Sequence, residues 1–179
     1  MNGIWTGISP PFKETLMTDD ALIHTHLDGI TDYSAALDTL CRRAQHNLYL
    51  FENNFDGLGF NSEARYDSLR HFLLANPANR LHVLTHDTHY LSTLCPRMTM
   101  LLHQFDDRMF IHQTSKILQH ITAPFSVADN LHYVRRFHFD DPRGIFAQND
   151  PENARALTAS FMEMWSSSHS AISTTRLGL

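Results

Sequence analysis

No stretch of this chain is apolar over the roughly 20 residues needed to cross a bilayer. Its N-terminus, MNGIWTGISPPFKETLMTDD, has neither the basic start nor the apolar core of a secretory signal. Cysteine is nearly missing: Cys41 and Cys95 are the only two, far apart and in separate apolar patterns. That argues against a disulfide framework and for two buried thiols in a reducing compartment, so the expected location is the cytoplasm. Excess positive charge is lacking as well. A net charge of −5 gives no general attraction for nucleic acid or anionic membranes, and neither is expected as a partner. The chain has no GxGxxG, no phosphate-binding P-loop, no GxSxG, no HEXXH, no CXXC pair and no carboxylate triad. Internal repeats and dividing linkers are absent too.

What remains is an ordinary globular composition. With 179 residues, 42% of them hydrophobic and 18% charged, the chain suits one domain with a substantial core. The compositional oddity is 13 histidines, scattered along the chain.

Up to about residue 30 no period is sustained, and Ser9-Pro10-Pro11 marks an extended arm. Tyr33, Ala36, Leu37, Leu40, Cys41 and Ala44 then follow the i, i+3, i+4, i+7 spacing of an amphipathic helix. LYLFENNF reads as a buried strand ending near Glu52 and Asn53. After the loop DGLGFN, Ser62 is a good cap for the helix EARYDSLRHFLLAN, which PAN breaks before the strand RLHVLTH. Asp87 to Phe105 carries one helical face, on which Pro96 either kinks the element or opens a new helix. RMFIHQ is a short strand. APFSVAD and LHYVRRF are expected to pair through a tight turn at Asp129-Asn130, and HFDDPRGIFAQN to be a loop. Asp150-Pro151-Glu152 starts a helix with a cap, a proline and an acid in the first turn; Ala154, Leu157, Phe161, Met164 and Trp165 form its buried stripe. The polar segment from Ser166 is expected to be mobile. The expected fold is α/β, an α-β-α sandwich around a mixed sheet. The expected divisions are an N-terminal arm at 1–31, the domain at 32–166 and a polar tail at 167–179.

This order of elements resembles one half of the phospholipase D fold. AALDTLCRRAQHNLYLF and YDSLRHFLLANPANRLHVLTHD match its helix–strand units, and FSVADNLHYV with the helix from Asp150 matches its late strand pair and closing helix. Members of that family carry H-x-K-x-x-x-x-D, in which the histidine attacks phosphorus, the lysine neutralises phosphate and the aspartate completes the site. With Asp129 at the motif's aspartate, Thr122 falls at the histidine and Pro124 at the lysine. Using His120 instead puts Thr122 at the lysine and Val127 at the aspartate. RRFHFDD stands where a glycine-serine-x-asparagine segment commonly follows. The resemblance thus implies a phospholipase D-like half without its reacting groups. It also implies pairing of such halves, here as a homodimer.

Ligands in α/β folds usually sit beyond the carboxyl ends of the strands. That rule selects Glu52, Asn53 and Asn54, then His86 and Asp87, with Asp129, Arg135 and Arg136 as further candidates. Loop capping is the plainer role for Glu52 to Asn54, and N-capping for Asp87. Arg135 and Arg136 alternate across a strand, so only one can face a given pocket, where it could clamp an anion. As metal ligands the histidines fail: His82 and His86 share a strand face but lie about 13 Å apart along it. No metal and no cofactor is therefore expected. The leading expectation is a non-catalytic domain that binds a small anionic ligand or a protein partner. The alternative is a divergent phosphodiesterase or hydrolase with a rearranged site using His86, Asp87 or His120.

Overall fold

The structure, a computed structural model, describes residues 21–172; the extended reading of Ser9 to Pro11 lies outside them. Its strands are β1 (Ile23–Leu27), β2 (Asn47–Glu52), β3 (Arg80–Thr85), β4 (Met109–Gln113), β5 (Phe125–Ala128), β6 (His132–His138), β7 (Asp141–Gln148) and β8 (His169–Ser170). Its α-helices are α1 (Ile30–Arg43), α2 (Glu63–Ala75), α3 (Pro96–Gln104) and α4 (Pro151–Ser166). All eight strands form one sheet in the order β1-β7-β6-β5-β2-β3-β4-β8. β2, β3 and β4 run parallel; the remaining pairings are antiparallel. This is the mixed-sheet α/β sandwich that the pattern predicts. No helix among the described residues is long and apolar enough to cross a membrane.

Parallel neighbours need crossover connections, and α2 and α3 supply them between β2, β3 and β4. Ser62 caps α2 by accepting from the Arg65 backbone N–H at 3.2 Å. Asp150 does the same for α4, accepting from the Asn153 N–H at 3.2 Å, with Pro151 in the first turn. Of the two alternatives for Pro96, the second holds: it opens α3, after a separate π-helical turn at Tyr90–Leu94. The main core lies between the sheet and α1, α2 and α3, built on Leu37, Leu40, Leu50, Leu69, Val83 and Leu101. The opposite face is covered by α4, where Phe161 and Met164 pack on Phe51, Leu84, Phe125 and Val127. Cys41 and Cys95 are free and buried.

β5 and β6 pair as expected, through a three-residue connection, Asp129 to Leu131, in which Asp129 (φ 58) and Asn130 (φ 54) are both left-handed. Two positive φ values in a row match the twist of a tight hairpin, and Asp and Asn tolerate them.

Three expectations need correction. The arm placed at 1–31 contains β1 and the first residues of α1; β1 pairs antiparallel with β7, Ile23 opposite Gln148 and Leu27 opposite Gly144. HFDDPRGIFAQN is largely β7, which lies between β6 and β1. Its Pro142 and Gly144 suggested a loop, but both sit where the ladder is irregular, beside a bulge at Arg136–His138. Gly144 has a packing reason: a Cβ there would lie 2.2 Å from the Arg135 carbonyl oxygen. The polar tail placed at 167–179 also begins inside the sheet, since β8 adds a short edge strand to β4.

Candidate functional site

Three parallel strands end together at one edge of the sheet, and β6 delivers its last residues to the same place. Glu52 closes β2, His86 follows β3, Thr114 follows β4, and Arg136 lies near the end of β6. All four are buried, at 1%, 5%, 3% and 7% exposure. Buried charge is costly unless paired, so their partners decide what they can do.

Glu52 is held from two sides. Tyr33 of α1 donates its hydroxyl to Oε1 at 2.5 Å, and Arg136 donates Nη2–H to Oε2 at 2.8 Å. Arg136 also donates Nη1–H to the Phe139 carbonyl at 2.9 Å, and its guanidinium lies 4.7 Å from the centre of the Tyr33 ring. Its Nε–H has no partner among the described residues. Burial pushes the Glu52 carboxyl above its usual range, opposed by the Arg136 guanidinium and the Tyr33 hydroxyl. Burial likewise raises the Tyr33 phenol well above its ordinary value, with the Glu52 charge adding to the effect.

His86 is equally occupied. Nε2 lies 2.8 Å from the Ile121 carbonyl, which can only accept, so Nε2 carries the proton. Nδ1 then accepts from the Thr114 hydroxyl at 2.5 Å. Burial lowers the pKa of this imidazole, in keeping with that neutral form. Its ring packs edge-on against Phe51 and Phe139, with centroids 5.2 Å and 5.5 Å away. Both ring nitrogens are committed, leaving neither to attack phosphorus or take a proton.

The other candidates scatter. Asn53 is exposed and works through its backbone carbonyl, which accepts from the N–H groups of His86 and Asp87 and from the Thr85 hydroxyl. Asn54 accepts from the Asp56 N–H in the loop after β2. Exposed Asp87 accepts from the His89 N–H at 2.8 Å, a local turn close to the capping role expected of it. Asp129 is at the far end of the sheet, where it accepts from the backbone N–H groups of Gln45, His46 and Asn47 at 2.8, 2.8 and 2.9 Å. It does not join the others, because β5 runs antiparallel to β2 and its carboxyl end meets the start of β2. Arg135 and Arg136 divide as alternation requires: Arg136 turns inward and Arg135 is exposed on the α4 side, opposite Phe125.

Thr122 and Pro124, the positions that the resemblance assigns to the motif's histidine and lysine, lie just before β5. The Thr122 carbonyl accepts from the Phe139 N–H at 2.8 Å and the Pro124 carbonyl from the Arg136 N–H at 3.0 Å. No histidine or carboxylate is hydrogen-bonded to the Thr122 hydroxyl among the described residues. Nowhere in the 179 residues does a histidine precede a lysine by two positions: Lys13 and Lys116 follow Pro11 and Thr114. A small pocket opens at this place, lined by Ala123, Pro124, Phe125, Arg135, Arg136, Phe137 and Leu157. Sequence reasoning missed Tyr33, Thr114 and Phe139. Tyr33 was read as core from its helical spacing, and nothing local marks a buried phenol as a carboxylate partner. Among the described residues no three His, Cys, Asp or Glu side chains converge as a metal would require.

Solved structures share the fold. TrmBL2, an archaeal chromatin protein whose structure shows a novel mode of DNA binding, superposes with a TM-score of 0.63 at 12% identity. That match covers 89% of this chain and 57% of TrmBL2, so the chain spans little more than half of that protein. Nuc from Salmonella typhimurium, a phospholipase D family member, gives a TM-score of 0.59 at 10% identity over 86% of this chain and 99% of Nuc. NucT from Helicobacter pylori gives 0.54 at 8% identity, over 84% of this chain and all (100%) of NucT. The fold is phospholipase D-like, as the order of elements implies. No curated protein sequence matches the chain. A family model does match residues 30–177, and by it the chain belongs to the family described as domain of unknown function DUF7931.

Proposed function

We propose that this chain is a non-catalytic phospholipase D-like domain that binds a small anionic ligand. The observation that carries this is the pocket at the start of β5. Where the family motif calls for a nucleophile and a phosphate-binding cation, the wall is Ala123, Pro124 and Phe125, with the exposed Arg135 and the buried Arg136 beside it. An arginine fork beside an apolar wall can orient an anion, but it supplies no nucleophile and no proton acceptor.

The inward arginine supports the same reading. Although Arg136 also lines the pocket, it is paired with Glu52 at 2.8 Å, which leaves Arg135 as the cation without an ion pair among the described residues. The rearranged-hydrolase alternative draws no support from its three residues. His86 has both nitrogens engaged, Asp87 caps a turn, and His120 is exposed with Nδ1 against the Ile117 carbonyl at 2.7 Å. A homodimer and a protein partner stay as proposals carried by the fold resemblance alone.

Two measurements on purified protein test the reading. Turnover of a chromogenic phosphodiester such as bis(p-nitrophenyl) phosphate should be indistinguishable from buffer, and activity that copurifies through several orthogonal columns would overturn the non-catalytic part. A thermal-shift series with phosphate, nucleotides and carboxylates should show stabilisation by at least one anion class. At one hundred times its Kd a ligand adds about 2.7 kcal/mol, roughly 5 to 10 °C here. Arg135→Glu should remove the shift.

A further inference from the structure

We infer that the groove between α4 and the start of β5 binds a free, single-chain amphiphile carrying one negative charge, such as an alkyl carboxylate. This rests on the anion-binding reading above and names the ligand class. The small pocket at Arg135 does not end at Leu157. A second cavity of about 400 Å³ adjoins it, sharing Ala123, Phe125 and Leu157 and continuing along Leu118, Ile121 and Met164. Its volume lies within the range of small-molecule sites, roughly 300–1,000 Å³. The 3-10 turn Lys116–His120 forms one wall, α4 the other, and β5 the floor.

Charge decides which molecule suits this shape. The groove's walls are mostly apolar, so a bare phosphate or nucleotide gains little from most of its length. A neutral alkane would leave Arg135 unused. Arg135 makes no ion pair among the described residues, and its guanidinium lies 5.9 Å from the centre of the half-exposed Phe137 ring. The far cavity carries Glu163 and Ser160 on its rim, so a second negative charge at that end meets repulsion. One cation free of an ion pair at one end, since Arg136 is held by Glu52, apolar walls between, and a carboxylate at the other select a monoanionic head with an apolar tail. Burying the tail supplies the affinity, and the Arg135 fork fixes its direction.

The test is calorimetric titration of the whole chain with octanoate, decanoate and dodecanoate, each below its micellar concentration. Affinity should rise about fourfold per added CH₂, the equivalent of about 0.8 kcal/mol. Dodecyltrimethylammonium and dodecanedioate, matched in length, should each bind at least tenfold more weakly than dodecanoate. Arg135→Glu should weaken dodecanoate at least tenfold and erase the preference over the cationic analogue. Ala123→Trp, which fills the junction of the two cavities, should abolish binding while circular dichroism and the melting midpoint confirm folding. Affinity independent of chain length, equal binding of the cationic analogue, or no effect of Arg135→Glu would overturn the inference. So would binding seen only to vesicles of anionic phospholipid, because the ligand would then be a membrane surface. Stabilisation by phosphate or nucleotides without dodecanoate binding sinks this inference and leaves the anion-binding domain standing. Copurifying phosphodiester turnover sinks the non-catalytic reading instead.

Discussion

Arg136 can be shown to serve the interior by removing it with and without its carboxylate. Arg136→Met keeps most of the side-chain volume and deletes the charge. Glu52, 1% exposed, then retains the Tyr33 hydroxyl at 2.5 Å and the Asn53 backbone N–H but no countercharge. Stranding one member of a buried ion pair costs about 3–5 kcal/mol. For a domain of this size each kcal/mol moves the melting midpoint by about 2–4 °C, so a fall of roughly 6–20 °C is expected. Glu52→Leu alone strands the guanidinium, with the Phe139 carbonyl at 2.9 Å and the Tyr33 ring at 4.7 Å as partial compensation, and should cost somewhat less. The double variant leaves no uncompensated charge and should sit within about 2 kcal/mol of the parent, giving a coupling energy of several kcal/mol. Urea unfolding of the four proteins at pH 7 closes the cycle. Additive losses, or an Arg136→Met variant as stable as the parent, would refute the claim that this arginine is held by Glu52. Anion binding through Arg135 should persist in the double variant, since Arg135 takes no part in the Glu52 ion pair.

Further expectations follow from single groups. Burial lowers the His82 pKa to about 4, with the His112 and Arg80 charges adding to the effect. Its folded pKa is depressed below the unfolded value of about 6.5, so its stabilising contribution is complete above pH 6.5 and lost as pH falls toward 4. His82→Phe keeps the contact with Tyr49 and Trp165 and should flatten unfolding free energy across that window by about 2–3 kcal/mol; an unchanged slope would refute the assignment. Asp129→Ala removes the acceptor for three backbone N–H groups and should cost about 2 kcal/mol in urea unfolding, with ligand affinity at the groove unchanged. Gly144→Ala sets a methyl against the Arg135 carbonyl at 2.2 Å, so it should destabilise by about 2 kcal/mol or more or disturb β6–β7 pairing, visible as lost amide protection.

Those variants also mark where the sequence speaks and where it is silent. α1, α2 and α4 were legible because burial follows their spacing and because Ser62 and Asp150 are side-chain caps, a local signal. β2 and β3 were legible as apolar runs because they are buried on both faces. β1 and β7 were not. β1 is an edge strand with four of its five residues exposed, so it has no apolar pattern, and β7 carries Pro142 and Gly144 for reasons that exist only once β6 lies beside it. The site divides in the same way. Glu52, Asn53, His86 and Asp87 were found because a parallel strand points its end at them. The rule failed for Asp129, because β5 reverses direction relative to β2 and carries that residue to the opposite edge.

The arginine pair shows what alternation alone could and could not decide. Neighbouring residues on a strand face opposite ways, so the sequence already required that the side chains of Arg135 and Arg136 leave β6 on opposite faces, although both residues border the small pocket. Which one depended on Glu52, 84 positions away in sequence from Arg136, and on Tyr33, 19 positions from Glu52. Once β5 sits between β2 and β6, Arg136 meets a buried carboxylate and is neutralised. Arg135 is left on the α4 side with a phenylalanine ring, an apolar floor and no ion pair among the described residues. The same register that closes the inner arginine therefore opens the outer one. A ligand read from this fold should be sought on the α4 face, one strand-face away from the buried charges that first draw the eye.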